Sequence, residues 1–127
     1  MIPIQSGCGC SCSSGPKLIF SCSGAADVGE LADRASRALT QKGSGKMFCL
    51  AGIGGRISGI VKSTEAAASI LAIDGCTLDC ARKSLEEAGF KRINHLRLTD
   101  LGFEKGSTEV DADSIAQVVD KAKIFLS

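Results

Sequence analysis

The sequence contains no Trp and no Tyr, only two Pro and one His, and no excess of either charge. With five Phe, it has few aromatic platforms on which nucleic acid bases could stack. Lys and Arg number 15 and Asp and Glu 14, and this formal net charge of +1 does not favour a nucleic acid backbone or an anionic membrane as the main partner. No apolar run approaches the length of about 18 residues that a transmembrane helix needs. The sequence therefore predicts a protein that binds neither nucleic acid nor membrane.

A chain of 127 residues with 44% hydrophobic and 23% charged residues has the composition of a soluble globular domain. Residues Met1–Gln5 lack the basic start of a signal peptide, and Gly and Ser interrupt the sequence before an apolar run develops. These features predict a protein of the reducing cytoplasm. In that compartment, clustered cysteines more often bind metals or take part in redox chemistry than form structural disulfides.

Cysteine is the abundant and informative residue type, with seven in the chain. Because seven is odd, a complete set of internal disulfides is impossible. Three of them alternate within a segment rich in Gly and Ser, namely Cys8, Cys10 and Cys12. Residues 1–16 are therefore predicted to form a flexible amino-terminal tail, and residues 17–127, with the other four cysteines, a single domain.

Apolar runs typical of buried strands alternate with amphipathic helical patterns four times. The predicted strands are residues 17–22, 46–50, 69–73 and 93–98. The helices that follow them are predicted to begin near Asp27, Arg56, Thr77 and either Asp111 or Asp113. This alternation predicts an α/β fold, a three-layer Rossmann-like or flavodoxin-like domain with a mainly parallel four-stranded sheet. The fourth strand alternates polar and apolar residues, so we expect it near an edge of the sheet.

Four cysteines lie close to the carboxyl ends of the predicted strands, where ligands of parallel sheets collect. Cys22 ends the first strand, Cys49 lies in the second, Cys76 follows the third, and Cys80 is one helical turn further on. Four thiolates in a tetrahedral array suit zinc or an iron–sulfur cluster. In the competing interpretation, Cys22 and Cys49 are merely small buried apolar residues of strands. Spacing alone leaves both interpretations open.

The sequence around these cysteines resembles the DGC-domain family over most of the chain, from about Lys17 to Gly106. The segments that resemble its motifs are Cys22–Ala32, Met47–Gly54, Ala72–Ala81 with the Asp-Gly-Cys that names the family, and Leu98–Gly102. The resemblance implies a zinc-binding protein of unassigned activity, with four chelating cysteines, Cys22, Cys49, Cys76 and Cys80. Two departures, Asp27 where many members have Asn and Thr77 where Pro is frequent, both suit the start of a helix.

Two other motifs suggest enzymes. Five residues separate Cys76 from Arg82, the spacing by which low-molecular-weight phosphatases and arsenate reductases place a thiolate and a guanidinium around an oxyanion. A thiol-based enzyme of that kind or of redox type, using Cys76, is the alternative function. Gly52 and Gly54 follow the second predicted strand, and Asp74 lies 20 residues after Gly54, as in a weak dinucleotide-binding pattern.

The tail suggests a third function. In an extended chain, Cys8, Cys10 and Cys12 point the same way and could bind a soft cation. A soft-metal trafficking protein that uses this segment is therefore a further alternative.

The remaining polar residues receive simpler interpretations. His95, in the fourth strand, is predicted to lie at the surface or behind the ligands, and to bind zinc only if one of the four cysteines does not. Asp74 and Asp100 lie at carboxyl ends of strands and are better candidates for orienting the site. Asp27 is predicted only to cap its helix, with Glu30 in the capping-box position.

Overall fold

The computed structural model describes residues 15–127, so Cys8, Cys10 and Cys12 of the predicted tail lie outside the described residues. The strands are β1 (Lys17–Ser21), β2 (Lys46–Met47), β3 (Ser69–Asp74) and β4 (Asn94–Arg97). The helices are α1 (Asp27–Gln41), α2 (Leu50–Gly54), α3 (Ser58–Glu65), α4 (Cys80–Glu87) and α5 (Ala112–Leu126). A 3₁₀ turn, Leu98–Leu101, follows β4.

All pairings in the sheet are parallel, and the strand order is β2-β1-β3-β4. Strands β1 and β3 are almost wholly buried, because helices cover both faces of the sheet. One face packs on α1 and α5 through the side chains of Ile19, Leu71, Ile73 and Leu96. The other packs on α2, α3 and α4 through Leu18, Phe20, Ile70 and Ala72. This confirms the predicted three-layer α/β fold and the position of β4 at an edge.

Several helix ends also follow the sequence. Gly43 and Gly89 adopt the left-handed conformation, with φ of 77° and 98°, directly after the residues that close α1 and α4. Asp111 caps α5, since its carboxylate accepts a hydrogen bond from the backbone N–H of Ser114, whose hydroxyl in turn accepts from Asp111.

The second predicted strand is too long. β2 ends at Met47, and Cys49 instead caps α2, with its Sγ accepting a hydrogen bond from the Gly52 N–H at 3.3 Å. Gly52 and Gly54 therefore lie in a short helix, and Cys49 lies in a connection rather than in a strand.

The helix after β3 begins at Cys80 rather than near Thr77. A turn precedes it, closed by a hydrogen bond of 3.2 Å from the Asp79 N–H to the Cys76 carbonyl, and Asp79 has a φ of 54°. Cys76 and Cys80 therefore do not share a helix face, and the turn between them fixes their relation.

Candidate metal centre

A crevice opens at the carboxyl edge of the sheet between β1 and β3. The strand order reverses there, because β1 leads into α1 on one face of the sheet while β3 leads into α4 on the other. Connections that diverge in this way leave a space in which ligands of such folds bind. The crevice has a volume of about 330 Å³, and Cys22, Cys76 and Cys80 all line it.

Cys22 and Cys76 are partly buried in this crevice, and Cys80 is exposed. Burial raises the pKa of the Cys22 thiol, while the N–H groups of Gly24 and Gly75 act in the opposite direction. The Gly75 N–H lies 3.3 Å from the Cys22 sulfur, so the segment after β3 contacts the end of β1 directly. A cation bound here must displace the thiol proton, as metal binding to cysteine generally does.

Cys49 lies on the far side of Cys22. It lines a larger, open cleft of about 1030 Å³ between α1 and the connection from β2 to α2, and Cys22 borders this cleft as well. Within residues 15–127, no three cysteine sulfurs lie within 4.8 Å of one another, and the three side chains that do meet this distance are Asp74, Asp79 and His95. The structure thus places three of the predicted ligands in one crevice and the fourth next to it.

Asp74 holds the helix that carries Cys80. Its carboxylate, 1% exposed, accepts hydrogen bonds from the N–H groups of Ala81 at 2.7 Å and Arg82 at 3.1 Å. This confirms a backbone-orienting role for Asp74. The same bonds occupy amides that an oxyanion would need, and the Arg82 guanidinium pairs with Glu86 at 3.3 Å. The segment therefore does not form the anion loop of the phosphatase hypothesis.

The sequence did not indicate the polar cluster that supports the turn before α4. Arg97 donates hydrogen bonds from Nε and Nη2 to the two carboxylate oxygens of Asp79, at 2.8 Å and 2.6 Å. These bonds hold the Asp79 pKa below its usual range. His95 Nε2 lies 2.9 Å from Asp74 and 3.5 Å from Asp79. His95 and Arg97 are two residues apart on one strand and share a face, and Arg97 pairs in register with Asp74. The spacing of the two residues was visible in the sequence, but the register was not.

Asp27 does not cap α1 as predicted. The cap position is Ala26, and Asp27 is the first helical residue. Its carboxylate accepts the N–H groups of Gly106 at 2.9 Å and Thr108 at 2.9 Å, so it ties a distant loop to the start of α1. These bonds lower the Asp27 pKa. The charge of Asp27 therefore serves a tertiary contact that local helix signals did not indicate.

Of the two glycines in the weak dinucleotide pattern, Gly52 has a packing role, whereas a Cβ on Gly54 would meet no atom within 4 Å. A Cβ on Gly52 would lie 2.2 Å from the Ile60 side chain, so this position lets α2 approach α3 closely. Asp74, the acidic residue of that pattern, is already bound by the amides of α4. The geometry therefore accounts for Gly52 and Asp74 without a nucleotide.

The fold and the crevice define an α/β protein with thiols grouped where the order of its parallel strands reverses. The family model of the DGC domain matches residues 18–122, and the chain belongs to the DGC-domain family. The resemblance seen in the sequence is thereby confirmed.

The chain is also similar to a curated protein of Pseudomonas aeruginosa, the anaerobic and virulence modulator AnvM. The two are 33% identical over 88 residues, which cover 69% of this chain and 67% of AnvM. No solved structure matches the chain. None of the helices within residues 15–127 is long and apolar enough to cross a membrane.

Proposed function

We propose that this protein binds one thiophilic divalent cation, zinc, through Cys22, Cys76, Cys80 and Cys49, and that the bound metal serves a regulatory role. The observation that carries the proposal is the convergence of Cys22, Cys76 and Cys80 on one crevice at the point where the strand order reverses. Thiolates are the ligands that zinc prefers in closed sites. Zinc would cross-link the ends of β1 and β3 with the start of α4.

The surroundings of the crevice fit such a cation. Four thiolates on a divalent ion leave a net negative centre, which needs nearby N–H donors and cations. The Gly75 N–H already points at the Cys22 sulfur, and the Lys105 ammonium lies 3.8 Å from the Cys76 sulfur. Cys49 is exposed at the start of a five-residue helix and lines the cleft that Cys22 also borders, so it would have to move toward the crevice to complete the ligand set. An iron–sulfur cluster is the alternative cofactor for the same donors.

The regulatory part of the proposal is supported by the relative. AnvM is named as an anaerobic and virulence modulator, a name that describes a regulatory role. A thiolate metal site responds to oxidants, because oxidised sulfur no longer binds zinc as a thiolate does. We propose that this chain shares that kind of role.

Metal analysis of the full chain, purified without air, tests the ligand set. We expect about one zinc per chain in the wild type, as for a closed four-coordinate site. Single replacements Cys22→Ser, Cys76→Ser and Cys80→Ser are each expected to abolish tight binding, because each removes a thiolate from the crevice. The matched control is the triple replacement of Cys8, Cys10 and Cys12 by Ser, which should leave the zinc content unchanged.

Substitution of cobalt for zinc then tests whether Cys49 is the fourth metal ligand. The sulfur-to-cobalt charge-transfer band should weaken in Cys49→Ser in proportion to the lost cobalt–sulfur bond. Absorption in the visible range by the protein as purified would instead identify an iron–sulfur cluster. A wild type without metal, or a Cys80→Ser variant with unchanged affinity, would contradict the proposed site. Loss of zinc in the tail variant would favour the trafficking function.

A further inference from the structure

A loop after the 3₁₀ turn reaches the crevice through Lys105, and we call its residues 102–110 the strap. Asp27 anchors it through three hydrogen bonds of 2.9 to 3.0 Å from the N–H groups of Gly106 and Thr108. Between the 3₁₀ turn and these anchors lies Lys105, which lines the crevice. The φ of 93° at Gly106 lets the strap turn tightly at the anchor. Asp27 thus fixes the position of the strap and, with it, the position of Lys105 in the crevice.

The position of Lys105 gives one end of the crevice a positive charge. Its ammonium lies 3.8 Å from the Cys76 sulfur. Asp74 and Asp79 also border the crevice, but their carboxylates are already bound, by the amides of α4 and by the Arg97 guanidinium. Both carboxylates are buried, at 1% and 7% exposure, so Lys105 is the exposed charged side chain that lines the crevice beside Cys76.

We infer that Lys105 makes the Cys76 end of the crevice selective for anionic small molecules, and that Asp27 positions it through the strap. The inference goes beyond the proposed zinc site, since it concerns any ligand or thiol reagent that approaches Cys76. Two unit charges about 4 Å apart attract each other even in water by an energy equivalent to about fivefold in rate or affinity. Asp27 is a positioning residue in this arrangement, and Lys105 determines the specificity.

The test compares two reagents that attack the same sulfur. In chelator-treated full chain, the Cys76 thiolate displaces iodide from anionic iodoacetate or from neutral iodoacetamide, forming a carbon–sulfur bond in each case. Both rates are proportional to the fraction of Cys76 present as thiolate, so this fraction cancels when one rate is divided by the other. Mass spectrometry of the peptides gives this ratio separately for Cys76 and Cys49.

We expect Lys105→Gln to lower the iodoacetate-to-iodoacetamide ratio at Cys76 about fivefold and to leave the ratio at Cys49 unchanged. Asp27→Ala should move the Cys76 ratio in the same direction, because the released strap no longer holds Lys105 in place. Lys91→Gln is the matched control: it removes the same charge from an exposed site before β4, at the opposite end of the sheet. An unchanged ratio at Cys76, or an equal fall at Cys49, would overturn the inference.

A second measurement covers the case in which removal of zinc unfolds the chain. Zinc is withdrawn from the loaded protein by anionic EDTA or by neutral phenanthroline, and Lys105→Gln should slow only the anionic chelator relative to the neutral one. Equal effects on both would also overturn the inference. If the wild type holds no zinc, the alkylation ratios still decide, so failure of the zinc proposal and failure of this one are distinguishable.

Discussion

Replacement of Gly75 by Ala is expected to lower the free energy of unfolding by about 2 to 3 kcal/mol, because the added methyl has no space. A Cβ at this position would lie 2.7 Å from the carbonyl carbon of Val28 and 2.8 Å from its oxygen. Both are backbone atoms of α1, so no side-chain rotation relieves the clash. The start of α1 must move away from the end of β3, and because Val28 and Gly75 both line the crevice, the crevice should widen.

Chemical denaturation with urea measures this change in stability directly. The matched control is Gly59→Ala in α3, where a Cβ meets no atom within 4 Å. There the replacement should stabilise the protein by up to about 1 kcal/mol, since Ala favours a helix over Gly. Gly29→Ala tests a second close approach at the start of α1, because its Cβ would lie 2.6 Å from the Gly24 carbonyl oxygen. Equal stability of Gly75→Ala and the wild type would show that α1 and β3 do not need this close approach.

The three residues that name the family have separate physical roles at one strand end. Asp74 accepts hydrogen bonds from amides in the first turn of α4. Gly75 allows α1 to contact the end of the strand, and Cys76 lines the crevice. Each role depends on a neighbour that lies far along the chain or on another element. The motif therefore describes how three elements meet, in addition to supplying a thiol.

The layer structure was predictable because it depends on local patterns. Short apolar runs such as Leu18–Phe20 predict buried strands, and parallel strands need helical crossovers on both faces. Gly43 and Gly89 marked helix ends for a reason confined to their own backbone conformation. The grouping of Cys22 with Cys76 also followed, since parallel strands bring their carboxyl ends to one edge.

The remaining features depend on contacts between distant segments. Asp27 carries a good helix-start signal, yet its carboxylate binds the strap about 80 positions later in the chain. Cys49 carries a strand signal, yet a sulfur-capped helix replaces the end of that strand. His95 and Arg97 gain their roles only from the register between β3 and β4. No local propensity encodes that register, so the support beneath the turn was not predictable.

The ion pair between Arg97 and Asp79, which supports the turn before α4, gives the second prediction with a large effect. Replacement of Arg97 by Gln should lower the Tm by about 5 to 10 °C at neutral pH, because Asp79 would remain nearly buried without its cation. Asp79 is 7% exposed and has a left-handed backbone immediately before Cys80, so its release also loosens the turn between Cys76 and Cys80. Arg34→Gln is the matched control, since Arg34 pairs with Glu30 on the open surface of α1 and such pairs contribute little.

Two further measurements separate the loss of this pair from a general weakening of the fold. If Asp79 is the partner, Asp79→Asn combined with Arg97→Gln should lower the Tm by less than the two single effects added together. The pH dependence has a defined sign, because Arg97 lowers the Asp79 pKa in the folded state. The ion pair therefore stabilises the protein fully above the pKa of an unfolded Asp, about 4. This stabilisation is lost as the pH falls through the lower pKa of the folded state. The difference in Tm between wild type and Arg97→Gln should therefore narrow below about pH 4. A difference that is constant with pH, together with additive single effects, would assign the loss to packing of the Arg97 side chain and not to its bond with Asp79.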